Sequence, residues 1–175
     1  MALFIYEGTE EICMRDNRTS KKQITMYKIL VKFLEKKILS CKGLVMSSDD
    51  TFEAETKRYK INIELEKRIP GTRYSADVLM NITNNQTGKI KQFAIEYDCL
   101  NWHRKWKDEK KNDMFLENDI NVVRVQTFSQ LPNPKILWHF ITEIYNSDDE
   151  PKIMYYQLPD YIDDIWTGKL FLYYR

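Results

Sequence analysis

At 175 residues, 43% apolar and 13% aromatic, the chain suits a single domain that buries roughly 70% of its unfolded surface. Five Gly and five Pro exclude collagen-like and low-complexity architectures. With 27 basic against 26 acidic residues the net charge is +1, which gives no global case for or against nucleic acid and makes any basic footprint a local one.

In chain order, the first element predicted is a helix over Ser20 to Leu39. Ile24, Tyr27, Leu30, Val31, Leu34 and Ile38 recur at helical spacing, opposite a lysine-rich face that reads as solvated. "SSDDTFEAET" follows, and Ser and Asp ahead of Glu53 and Glu55 predict a second helix start. "RYKINIELE" alternates strictly and predicts a half-buried strand with Tyr59, Ile61, Ile63 and Leu65 inward. After a "PGT" turn, "RYSADVLMNI" is a second strand with Asp77 on the face opposite Val78 and Met80. "NNQTG" turns the chain into a third strand, "KIKQFAIEYD", so these strands form an antiparallel meander. A polar helix from Arg104 to Asp119 and the β-branched strand "INVVRVQ" imply a crossover to a parallel neighbour. A further helix starts at Pro134, a residue suited to a first turn. The aromatic-rich end, from Glu150, reads as extra strands or a clasp.

The expected fold is therefore α/β: a central mixed sheet flanked by helices. It is one domain over residues 1–175, with an N-terminal helical region at 18–50, a core at 58–146 and an appendage at 150–175. Cys13, Cys41 and Cys99 have no paired spacing and read as reduced thiols, and no CxxC or HxxxH suggests a structural zinc. No apolar run reaches the roughly 18–20 residues of a membrane span, and the N-terminus lacks the basic region of a signal peptide. The expectation is a cytoplasmic or host-intracellular protein that is not secreted and has no membrane partner.

The chemistry concentrates in "AIEYDCLNWH", Ala94 to His103. Glu96 and Asp98 share one strand face, because side chains alternate with period two. Asp77 stands on the preceding strand, one hairpin away. Three clustered carboxylates repel one another unless a cation sits among them, and hard oxygen ligands favour Mg²⁺ or Mn²⁺. His103 can be returned to the site by a loop and relay a proton. The competing reading is a set of acids that face solvent or pair with lysines.

The ordered set from Tyr74 to Val125, about 50 of the 175 residues, resembles the PD-(D/E)XK nuclease superfamily, and within it the very-short-patch-repair (Vsr)-like endonuclease branch. A strand ends in an aspartate at Asp77. The next strand reads apolar-Glu-x-Asp at Glu96 and Asp98, and Trp102-His103 follows. Asp108, Lys111 and Arg124 then match an Asp, a basic residue and an apolar-Arg strand. The resemblance implies a restriction-endonuclease-like fold and Mg²⁺-dependent (or Mn²⁺-dependent) hydrolysis of phosphodiester bonds. Asp77, Glu96 and Asp98 are then the metal ligands, and His103 and Lys111 join the catalytic set. DNA is preferred over RNA as substrate. The departures are Cys99 where a Gly is usual, the Asn118-Asp119 pair in place of the Gly before the last strand, and Asp98 at the place of the (D/E)-x-K lysine.

Lys111 on the helix can supply that missing cation, or be an ordinary solvated lysine. Asp108 suits a helix cap better than a partner for His103. Arg124 reaches either a phosphate or a structural ion pair. A helix glutamate often joins the site in the superfamily, and Glu53 or Glu55 are the nearest acids on offer. Arg104, Lys105, Lys107 and Arg124 make the expected nucleic-acid contacts, with Trp102 and Trp106 interleaved. The alternatives are a catalytically silent nuclease-fold protein that binds nucleic acid or a protein, and a ribonuclease. The oligomeric state is not legible, a homodimer being one option.

Overall fold

The computed structural model describes residues 21–99, 105–127, 130–147 and 150–158. Its elements are α1 (Lys21–Ser40), β1 (Leu44–Ser47), β2 (Thr51–Glu55), β3 (Tyr59–Arg68), β4 (Ser75–Asn84), β5 (Ile90–Cys99), α2 (Lys105–Glu117), β6 (Ile120–Thr127), α3 (Pro134–Asn146) and β7 (Ile153–Gln157). The strands form one seven-stranded sheet in sequence order. β1 to β5 pair antiparallel, as a meander, whereas β5–β6 and β6–β7 pair parallel across α2 and α3. The fold is α/β with a mixed sheet flanked by helices. No helix among the described residues is long and apolar enough to cross a membrane.

Period-two alternation divides the sheet into two faces. Ile61, Ile63, Val78, Met80, Phe93, Ile95, Val123 and Val125 form one face, against the apolar stripes of α1 and α3. Leu79, Ala94, Ile120 and Val122 lie on the other, against Met114 and Phe115 of α2. α1 buries Met26, Tyr27, Leu30, Leu34 and Ile38, one stripe of a 3.6-residue period. Its end is fixed by close packing. A Cβ on Gly43 would lie 2.5 Å from Ile38 Cγ2 and 2.7 Å from the Glu55 carbonyl oxygen, so only glycine passes there.

α3 opens on Asn133, whose side chain accepts from the Lys135 amide, with Pro134 in the first turn. It closes on a buried cation. Lys91 of β5, 6% exposed, donates to the carbonyls of Ile144 (3.0 Å) and Ser147 (3.3 Å). Those carbonyls carry the negative end of the helix dipole, and the Ile144 carbonyl also accepts from the Ser147 amide and hydroxyl, so the ammonium adds a charged donor that ties the end of α3 to the sheet.

The helix expected at "SSDDTFEAET" is instead the β1–β2 hairpin. Ser48 and Asp50, which resemble a helix cap, build its turn. The Ser48 amide donates to the Thr51 carbonyl at 2.8 Å, and the Ser48 hydroxyl lies 3.0 Å from Asp50 Oδ1. Phe52 and Ala54 are buried two residues apart, which is strand periodicity. Of the aromatic-rich end, β7 joins the sheet as an added strand, and residues 159–175 lie outside the described part.

Candidate functional site

β4 and β5 are laddered from Thr83↔Ile90 to Val78↔Ile95. Past that pair the ladder stops, although β4 still pairs with β3 as far as Ser75 and β5 still pairs with β6 as far as Cys99. Two strands that remain in one sheet therefore part along one seam. Asp77 and Glu96 fill the fork. The Tyr97 amide donates to Asp77 Oδ2 at 2.8 Å, and the Asp77 amide donates to Glu96 Oε1 at 3.3 Å. Side-chain carboxylates take the place of the backbone carbonyls that would otherwise accept these N–H groups. Both acids are thereby fixed by main chain rather than by flexible partners.

α2 crosses this end of the sheet and delivers Lys111. Its ammonium donates to Glu96 Oε2, so the two Glu96 oxygens face different partners. Lys111 also stands 5.6 Å from the centre of the Phe115 ring. From the opposite side, Gln23 at the start of the described α1 donates to the Asp77 carboxylate. Four elements thus meet at one point: β4 with Asp77, β5 with Glu96, α2 with Lys111 and α1 with Gln23.

Electrostatics follow the crowding. Burial, and then the charge of Glu96, push the Asp77 carboxyl up from 3.8 to about 7, against the opposing pull of Lys111, the Tyr97 amide and Gln23. Burial works to lower the Lys111 ammonium, but Glu96 and Asp77 outweigh it and hold Lys111 above its ordinary value. At neutral pH, among the described residues, the centre holds one cation and a carboxylate pair reluctant to carry two charges.

The third carboxylate is turned elsewhere. Asp98, 2% exposed, faces Arg124, which is 1% exposed. Arg124 Nη1 lies 2.8 Å from Asp98 Oδ1 and 2.7 Å from Oδ2. Arg124 Nε donates to Asn112 Oδ1 at 2.7 Å, and Nη1 stands 3.6 Å from Asp108 Oδ1. This buried knot joins β5, β6 and α2. Asp98 and Arg124 thus hold the framework beside the site: Asp98, expected with Asp77 and Glu96 as a third ligand, faces the guanidinium instead, and Arg124, expected at a phosphate, is buried against Asp98 and Asn112. Among the described residues no three His, Cys, Asp or Glu side chains gather as a metal-holding group.

The other expected participants divide by position. Asp108 lies in the first turn of α2, facing Arg124. Lys107 is exposed on α2. Lys105 belongs to α2, but its side chain, like that of Trp106, lies outside the description, and His103, Arg104 and Trp102 lie outside the described residues altogether. Glu53 and Glu55 sit on β2, two strands from Asp77, where they accept from Asn62 and Asn85. The helix residue that does reach Asp77 is Gln23. It went unrecognised because an isolated glutamine in a lysine-rich helix has no periodic signature; its only signal is its place in α1, the first helix among the described residues.

A burial-raised carboxyl has a consequence for stability. Between about pH 4 and 7 the unfolded chain has lost the Asp77 proton while the folded chain retains it, so Asp77 makes the fold less stable as pH rises through that window. Asp77→Asn removes the term. Urea melts in chelator are expected to find the variant more stable than the parent at pH 8, on the order of 2 kcal/mol, with the gap closing toward pH 4. A gap that is constant with pH would show that Asp77 is not the group responsible.

The sequence matches no protein-family model and no curated protein.

Proposed function

We propose that this chain is a metal-dependent endonuclease that hydrolyses phosphodiester bonds in DNA, on a restriction-endonuclease-like core made of α1, β3–β5, α2 and β6. The single observation that carries the reading is the fork between β4 and β5, where Asp77 and Glu96 are fixed by backbone amides beside Lys111. A purely structural pair of acids would be expected to be fully neutralised by cations. Here, among the described residues, one lysine serves two carboxylates, and Asp77 is left near the point of protonation at neutral pH.

Asp77 and Glu96 fit a hard divalent cation such as Mg²⁺ or Mn²⁺. Both are oxygen donors, both are rigidly held, and their mutual repulsion is the unfavourable term that a cation relieves. When bound, such an ion supplies charge neutralisation at the phosphoryl oxygens and acidifies an attacking water. The chain's own residues do the rest. Gln23 and the Tyr97 amide orient the Asp77 carboxylate. Lys111 keeps one Glu96 oxygen in place and sets a fixed positive charge where a phosphate's negative charge would grow during reaction. Arg124 and Asp98 hold β5, β6 and α2 at constant spacing, so that Glu96 and Lys111 meet. The basic side of α2, with Lys107 exposed, offers a track for the phosphate backbone on the approach to the fork.

Incubation with supercoiled plasmid in Mg²⁺ or Mn²⁺ tests this directly, with a structured RNA in parallel. Nicked or linear DNA is expected, and Asp77→Ala and Glu96→Ala are each expected to lose activity by about 100-fold or more. Cleavage that survives both substitutions would remove the site from the mechanism. Cleavage confined to RNA would change the substrate class, and nucleic-acid binding without cleavage of either polymer would favour a silent nuclease-fold binder.

A further inference from the structure

A second feature lies at the far end of α1. Gln23 marks the end of that helix at the fork, and Lys36 and Lys37 stand roughly 20 Å along its axis at 1.5 Å per residue. There α1, α3 and the β2–β3 turn enclose an open groove of about 1150 Å³. Its floor is aliphatic, made by Leu34, Ile38, Ile61 and Ile82, all of them buried core residues. Phe33, Tyr59, Trp138 and Tyr145 form partly buried aromatic walls, with Tyr59 and Tyr145 meeting edge-on at 5.8 Å.

The rim is of one sign. Lys36, Lys37, Lys57, Arg58 and Lys135 line it, and among the described residues no Asp or Glu does. In a chain with 27 basic and 26 acidic residues this segregation is a matter of placement, not composition. None of the five forms an ion pair with a carboxylate among the described residues, and the Arg58 guanidinium rests over the Tyr59 ring at 5.2 Å. The volume exceeds the roughly 300–1,000 Å³ of ordinary small-molecule pockets. A phosphodiester backbone would satisfy the cations but leave the apolar surface still open to solvent, on the partly buried Phe33, Tyr59, Trp138 and Tyr145, without an apolar partner. An amphipathic helix lays one apolar face into a groove between helices and presents charge to its edges, and here the edges demand acid.

From this we infer that the α1–α3 groove is a docking site for an acidic amphipathic helix of a partner protein, separate from the site at the β4–β5 fork. The apolar face of the partner packs on Phe33, Tyr59 and Trp138, and its carboxylates meet Lys36, Lys135 and Arg58.

The test is fluorescence anisotropy on the full chain, with a labelled helical peptide bearing leucines on one face and glutamates on the other. Lys36→Glu/Lys135→Glu is expected to weaken binding about tenfold or more, and replacing the peptide's leucines by alanine is expected to do the same. Lys28→Glu/Lys32→Glu changes net charge equally, on exposed α1 positions outside the groove, and is expected to leave binding within about twofold. Equal losses in the two charge-reversed pairs would overturn the proposal, since they would report bulk charge. Indifference to the leucines would overturn it as well. So would failure of the parent chain to bind the peptide while a single-stranded oligonucleotide binds and is lost with Lys36→Glu/Lys135→Glu. Plasmid cleavage serves as an independent readout and is expected to be unchanged in both pairs, so loss of docking and loss of nuclease activity are separable.

Discussion

Arg124→Met is expected to destabilise the fold by about 3–5 kcal/mol, the usual cost of removing one partner from a buried ion pair. Arg124 and Asp98 are 1% and 2% exposed, and both Asp98 oxygens lie within 2.8 Å of Arg124 Nη1. Methionine fills much of the same volume, so packing loss is small and the deficit reports the stranded carboxylate. Asn112 Oδ1 loses its donor in the same step, because it accepts from Arg124 Nε. The double variant Arg124→Met/Asp98→Leu removes both charges and is expected to recover most of the loss, since an apolar pair can replace a buried ion pair at little net cost. Urea melts of the two single variants and the double variant complete the cycle. A single-variant loss below about 1 kcal/mol would place Arg124–Asp98 with ordinary surface pairs and would deprive it of a framework role.

Much of the sheet was legible because burial on two faces writes a strict two-residue alternation. Ile61 and Ile63, and Val78 and Met80, read directly as inward positions, and all are buried. The β1–β2 hairpin was not legible. β1 offers only the unbroken Leu44-Val45-Met46 run and β2 only Phe52 and Ala54, both too short to show a period, and Ser-Asp clusters serve hairpin turns and helix caps through the same hydrogen-bonding chemistry. The pairing of Asp77 with Glu96 followed from alternation and a hairpin. The parting of β4 and β5 did not, because nothing in the sequence says that side chains will take over the ladder's hydrogen bonds. Alternation also put Glu96, Asp98 and Arg124 on one face without saying which acid takes the guanidinium. Arg124 is in register with Glu96 yet reaches diagonally to Asp98, leaving Glu96 for Lys111. That exchange depends on α2, whose polar sequence shows little periodicity to orient it.

Lys111→Met is expected to lower cleavage by about 100- to 1,000-fold while leaving the fold and metal saturation intact, if the centre works as proposed. The lysine is a positive charge fixed at the fork, held above its ordinary pKa by Glu96 and Asp77, so it stays protonated across the neutral range. Removing it has a second effect with a definite sign. Lys111 is among the groups that pull the Asp77 carboxyl down from where burial and Glu96 would put it, so the variant's Asp77 titrates above the parent's value of about 7. Carboxyl-carbon NMR in chelator reads that titration without reference to activity, and cleavage against pH at saturating Mg²⁺ reads its consequence. Lys111→Arg keeps the charge but not the compact ammonium that fits against Glu96 Oε2, and is expected to hold the Asp77 titration near the parent's while restoring only part of the rate. Unchanged cleavage in Lys111→Met with an upward-shifted Asp77 would leave Lys111 an electrostatic neighbour with no part in the reaction. An unmoved Asp77 would dissolve the Asp77–Glu96–Lys111 cluster on which the proposed chemistry rests.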